Sequence, residues 1–180
     1  MLSKLLEKLV ARQLLEYLSV KKLLTDWQSA YRAFQSTETA IAGLLSDILL
    51  ALDTGDIAAL ALLDLSAAFD TVDHSILLQR LQTSFGLNSS VLLWFCSYLD
   101  QRQQHVRYCG KQSVTLIVRF GVPQGSVLGP LLFVMYSADI VIIVACQGLS
   151  VHQYADDIQA YGRCRPVSYT HLTLPTILRV

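Results

Sequence analysis

Leucines recur at helical spacing from the start of the chain. Leu2, Leu5, Leu6, Leu9, Leu14, Leu15 and Leu18 stand near i, i+3 and i+4, so residues 2–24 are predicted as one or two amphipathic helices. Thr25–Ser36 is polar and aromatic and is predicted as a loop. Ser36 or Thr37 can cap a helix running through Leu52, which Gly55 ends. Ile57–Leu63 is a continuous apolar run between Gly55 and Asp64, the pattern of a strand buried on both faces. Asp73 can cap a helix over residues 74–84 that Gly86 closes. Another helix starts at Ser89 or Ser90, with Val91, Leu92, Phe95 and Leu99 on one face.

Residues 103–109 and 113–120 read as a hairpin around Gly110-Lys111. The Gly- and Pro-rich stretch Gly121–Pro130 predicts an irregular turn, followed by a helix over about Leu131–Ala145 that Gly148 breaks. Two short β-prone runs, Val151–Ala155 and Ile158–Tyr161, flank Asp156-Asp157 as a tight hairpin. Helices and strands in this order favour an α+β fold over a doubly wound parallel sheet.

Composition narrows the possibilities. The 180 residues are 53% hydrophobic and 16% charged, which excludes disorder. So apolar a chain is either an ordinary buried core or a segment whose apolar surfaces meet parts outside it. The longest apolar runs, Ile57–Leu63 and Ile140–Cys146, are short of the roughly 20 residues a membrane helix needs, so no membrane span is predicted. Charges throughout residues 4–22 exclude a signal peptide. Cys96, Cys109, Cys146 and Cys164 form no C-x-x-C pair and predict buried free thiols in a reducing compartment; the sequence does not choose between nuclear and cytoplasmic within an intracellular setting. Fourteen basic residues balance fourteen acidic ones, whereas a stand-alone nucleic-acid binder is usually basic.

Three features carry candidate chemistry. Asp156-Asp157 concentrates two carboxylates at a hairpin tip, a repulsive arrangement that cations relieve. Asp64 ends an apolar strand and is therefore held by a rigid element, as a metal ligand must be. Gly121–Pro130 can bring backbone close to a ligand, with Gln124 free to hydrogen-bond a base or sugar. An exposed acidic turn, a helix cap and a plain turn are the structural alternatives for the three.

Taken in order, these blocks resemble the palm motifs of non-LTR (LINE-type) retrotransposon reverse transcriptases. The blocks are Leu62–His74, Gly121–Pro130 and Tyr154-Ala155-Asp156-Asp157. Gln28-Ser29-Ala30-Tyr31-Arg32 followed by Ser36–Ala40 is similar to the family's upstream fingers block, so the likeness covers about residues 2–162. The resemblance implies an α+β polymerase palm, an antiparallel sheet packed with helices, plus partial fingers over residues 1–164 and no thumb. It implies RNA-directed DNA synthesis on an RNA template from a DNA primer and dNTPs, with two Mg²⁺ (or Mn²⁺) ions. Asp64 and Asp156 would be the principal ligands and Asp157 would assist. Phe69 would lie under the incoming sugar and exclude a 2′-hydroxyl. Gln124 and Gly125 would line the nucleotide pocket, and Arg32 would contact triphosphate or template. Asp70 and Asp73 would cap the following helix.

The chain departs from the family pattern at Arg32-Ala33-Phe34-Gln35, which lacks the usual proline and basic residue, and at Arg119-Phe120. Residues 165–180 match no palm element and look similar to translated adapter sequence. The alternative function is a catalytically inactive fragment acting at most as a binding or interaction module.

Overall fold

The computed structural model describes residues 2–25, 27–31 and 35–166. Arg32 and all of the tail after residue 166 lie outside the described residues. In chain order the elements are α1 (Leu2–Val20), α2 (Thr37–Asp53), β1 (Ile57–Asp64), α3 (His74–Thr83) and α4 (Ser89–Leu99). Four two-residue strands follow: β2 (Gln103–Gln104), β3 (Arg107–Tyr108), β4 (Lys111–Gln112) and β5 (Leu116–Ile117). The chain continues through α5 (Gly129–Cys146), β6 (Ser150–Tyr154) and β7 (Asp157–Cys164). This is a mixed α+β fold, divided into two compact units.

The first unit comprises the chain up to Asp26 together with Leu65–Asp139. Its core draws Leu14 and Leu18 from α1, Leu77 and Leu81 from α3, Phe95 and Leu99 from α4, and Leu132 and Met135 from α5, all buried. The first turns of α1 lie outside that core, with Leu2 84% exposed. Caps fix the helix starts. Asp73 accepts from the backbone N–H groups of Ser75 (2.8 Å) and Ile76 (3.1 Å) and from the Ser75 hydroxyl, as the sequence predicts. These bonds, that of the Ser75 hydroxyl foremost, hold the Asp73 carboxyl below the usual carboxylate range.

Three readings shift by one residue or change sense. The hairpin of β3 and β4 turns at Cys109-Gly110, not Gly110-Lys111, and both turn residues have positive φ (47° and 77°), the requirement of a type I′ turn. Helix α5 has 18 residues and is apolar and long enough to cross a membrane, contrary to the sequence reading. Ser137 and Asp139 interrupt its apolar run, and Leu131, Leu132, Phe133 and Met135 of its first half are buried in the core of the first unit. Asp139 pairs with Arg80 at 2.9 Å, and a soluble core helix meets the same length and composition. The cysteines are free, as expected, but Cys109 and Cys146 are exposed rather than buried.

The second unit comprises Trp27–Asp64 and the chain from Ile140 onward. Its sheet is antiparallel in the order β1-β7-β6. Segment 27–29 runs beside β6, joined by Gln153 N–H to Trp27 O (2.8 Å) and Ser29 N–H to Gln153 O (3.0 Å). Helix α2 starts at a reciprocal cap between Ser36 and Thr39 and packs near β1 and β6. Strand β1 is not buried on both faces. Among the described residues it pairs only with β7, and Leu62 is 70% exposed. A continuous apolar run names no face, and an edge position in a three-stranded sheet leaves both sides of β1 less covered.

Tyr161 of β7 donates to the Asp47 carboxylate of α2 at 2.6 Å, and burial together with this bond pushes the phenol up to about 12. An acid whose folded pKa is raised adds stability below its unfolded value near 10, and that contribution is lost as pH rises toward 12. Ultraviolet titration of the tyrosines is expected to show one phenol ionising near 12 in the wild type. In Asp47→Asn that late step moves down in pH; an unchanged curve would mean the bond does not hold the phenol.

Candidate catalytic carboxylate site

The carboxylates gather where β1, β7 and β6 meet at one end of the sheet. Asp64 closes β1 and Asp157 opens β7, and the antiparallel register places them directly opposite each other. Opposed residues of an antiparallel pair project from the same face, typically about 5 Å apart at Cβ. Both are exposed. Like charges in that position repel, so the backbone maintains a negative site that a cation would stabilise.

Asp156 is held differently. Tyr154 pairs with Asp157, so the two-residue connection is Ala155-Asp156, one residue earlier than the sequence reading placed it. Ala155 carries φ of +57°, the left-handed region that alanine rarely occupies. Asp156 is half-buried and follows that residue directly. Among the described residues, no three His, Cys, Asp or Glu side chains converge closely enough to hold a metal ion. The backbone therefore brings Asp64, Asp156 and Asp157 to one end of the sheet without closing a ligand cage. Their chemistry, hard carboxylate oxygens with no thiol among them, suits Mg²⁺ or Mn²⁺.

Segment 27–31 borders this hairpin. Burial, Asp156 and Tyr154 together raise the Tyr31 phenol, in that order, so it stays neutral. Ser29 Oγ lies 2.8 Å from His152 Nε2, and burial lowers that imidazole so that its neutral form is favoured. In the sequence Tyr31 stands out only as part of the fingers block. Its position beside Asp156 depends on pairing across more than 120 residues, and nothing local signals it.

Phe69, Gln124 and Gly125 lie in the first unit. Phe69 is half-buried, with its ring 4.8 Å from Phe133 and tilted by 40°. Its carbonyl accepts from Val122 N–H at 2.8 Å, and Val72 O accepts from Gly121 N–H at 2.7 Å. These bonds zip the loop carrying Phe69 to the Gly121–Pro130 loop. Gly121 has φ of +85°, and a Cβ there would stand 3.0 Å from Asp70 Cα and O, so only glycine permits the approach. Asp73 caps α3, whereas the backbone of Asp70 packs against Gly121. Gln124 and Gly125 are exposed at the tip of the loop, and Gly125 has φ of +73°. The loop is also pinned by Glu7 of α1, whose carboxylate accepts from Val127 N–H at 2.7 Å.

Comparison with known proteins gives a consistent answer. Residues 1–174 match the family model described as reverse transcriptase (RNA-dependent DNA polymerase). The chain is 36% identical over 139 residues to the probable RNA-directed DNA polymerase from transposon BS of Drosophila melanogaster, covering 77% of this chain and 15% of the relative. It is 32% identical over 171 residues to the RNA-directed DNA polymerase from mobile element jockey of the same organism, covering 92% of this chain and 18% of the relative. A third relative, the probable RNA-directed DNA polymerase from transposon X-element, is 33% identical over 138 residues, covering 77% of this chain and 15% of its own length. The chain thus spans less than a fifth of the length of these relatives. It belongs to the reverse transcriptase (RNA-dependent DNA polymerase) family, and the retrotransposon relatives agree with the LINE-type motifs in its sequence.

Proposed function

We propose that this segment supplies the palm, with part of the fingers, of an RNA-directed DNA polymerase that extends a DNA primer on an RNA template. The observation that carries the reading is the cross-strand pairing of Asp64 with Asp157 beside the turn that bears Asp156. Asp64 and Asp156 are the principal ligands for two Mg²⁺ (or Mn²⁺) ions, and Asp157 adds negative charge at the same sheet end. When bound, such ions lower the pKa of an attacking hydroxyl and neutralise charge on a leaving pyrophosphate.

The residues of the chain do the positioning. In the reaction the primer 3′-oxygen bonds to the α-phosphorus of a dNTP, the bond to the β-phosphate oxygen breaks, and pyrophosphate leaves. Phe69, backed by Phe133, lies under the incoming sugar and leaves no room for a 2′-hydroxyl. Gln124 and Gly125 line the nucleotide pocket, where a loop tip with positive φ lets backbone approach a base or sugar. Arg32 contacts triphosphate or template. The neutral overall charge fits a segment whose grip on nucleic acid is shared with other parts of a longer chain.

Two measurements test this reading. On poly-rA with an oligo-dT primer, Mg²⁺ and dTTP, a polypeptide of the relatives' length carrying this segment is expected to extend the primer. Asp156→Ala is expected to lower that rate by about a hundredfold or more, and equal extension by wild type and variant would sink the assignment. Phe69→Val is expected to raise use of rNTP relative to dNTP about tenfold. Phe133→Leu should lower the melting temperature and leave sugar choice unchanged; a similar gain in rNTP use there would assign Phe69 to packing alone.

A further inference from the structure

Ala155 is the least comfortable residue of the carboxylate hairpin. It is buried, its φ is +57°, and it immediately precedes Asp156. Both of its backbone polar groups are engaged by buried glutamine side chains. Its N–H donates to Gln28 Oε1 at 3.2 Å, and its carbonyl accepts from Gln153 Nε2 at 2.9 Å. Gln28 Oε1 also accepts from Ala30 N–H at 2.8 Å, so one oxygen serves the turn and segment 27–31 together.

The amide orientation of Gln28 follows from this arrangement. Two N–H donors converge on the same atom, so a flipped amide would set donor against donor. Among the described residues, the other end, Nε2, is buried without a hydrogen-bond partner. A buried donor left unpaired is costly, and an apolar residue of the same volume would remove that cost. What such a residue would lose is the double acceptance at Oε1.

We infer that Gln28 and Gln153 are positioning residues that clamp Ala155 in its left-handed conformation and thereby aim Asp156 at the sheet end shared with Asp64 and Asp157. The inference rests on the proposed role of Asp156 as a cation ligand. Neither glutamine touches the reacting atoms; both act through the backbone of the turn. Gly in place of Ala155 would adopt the same φ without the clamp.

The test uses the ¹⁵N-labelled 180-residue chain, with amide hydrogen exchange followed by NMR and Mn²⁺ binding followed by electron paramagnetic resonance. In Gln28→Met the Ala155 amide is expected to exchange about tenfold faster while Ile158 and Ala160 do not change, the scale of one lost hydrogen bond. Mn²⁺ affinity should fall about fivefold in the same variant. Adding Ala155→Gly should restore the affinity without restoring protection of residue 155, a rescue that general loss of packing would not give. If circular dichroism shows Gln28→Met to be unfolded, Gln28→Asn gives the same test, since its amide is one methylene short of Ala155. Unchanged exchange at Ala155, or unchanged Mn²⁺ affinity once protection is lost, would overturn the clamp. Absence of Mn²⁺ binding in the wild type would overturn the metal reading and the positioning role with it, whereas a clamp failure leaves wild-type binding intact.

Discussion

The register between β1 and β7 is the constraint on which the candidate site depends. Eight consecutive residue pairs, from Ile57 with Cys164 to Asp64 with Asp157, set two carboxylates side by side at the end of an antiparallel ladder. A slip of one residue would send Asp64 to the opposite face from Asp157. The apolar pairs along the ladder hold that register, among them Leu63 with Ile158 and Ala61 with Ala160. Repulsion between the two aspartates opposes it only at the exposed end, where water screens their charges.

The turn that carries Asp156 is set by a different kind of interaction. Its geometry comes from segment 27–31, which joins β6 by two backbone hydrogen bonds and reaches the turn through the Gln28 side chain. Local sequence at residues 154–157 therefore does not determine the direction of Asp156 alone. The first unit shows the same economy. Two backbone bonds tie the Phe69 loop to the Gly121 loop, and His74 Nε2 lies 2.7 Å from Gly121 O. Helices α3 and α5 hold these loops, packed around Leu77, Leu81 and Leu132.

Much of this was legible in the sequence where the signal was local. The caps at Ser36 and Asp73, the helix breaks at Gly55 and Gly148 and the hairpin around Asp156 all follow from residues within a few positions. What was not legible depends on distant partners. Both tight turns lie one residue earlier than read, because turn chemistry fixes the region of a turn and the ladder fixes its register. The exposure of β1 follows from strand order, which an unbroken apolar run does not encode. The surroundings of Gln28 and Tyr31 depend on contacts across 127 residues for the one and with Asp156 and Tyr154 for the other. Glutamine in a predicted loop gives no sign that it will be buried.

Asp64 and Asp157, paired by the β1–β7 register, and Asp156, carried by the β6–β7 turn, are proposed to form one cation site. The most direct test is a crystal structure grown with Mn²⁺ and measured at the manganese absorption edge. An anomalous peak is expected within ligand distance, roughly 2.2 Å, of carboxylate oxygens from Asp64 and Asp156. That peak is expected to vanish in Asp64→Asn. A peak bound elsewhere, or one at Asp156 that survives the loss of the Asp64 carboxylate, would contradict a shared site.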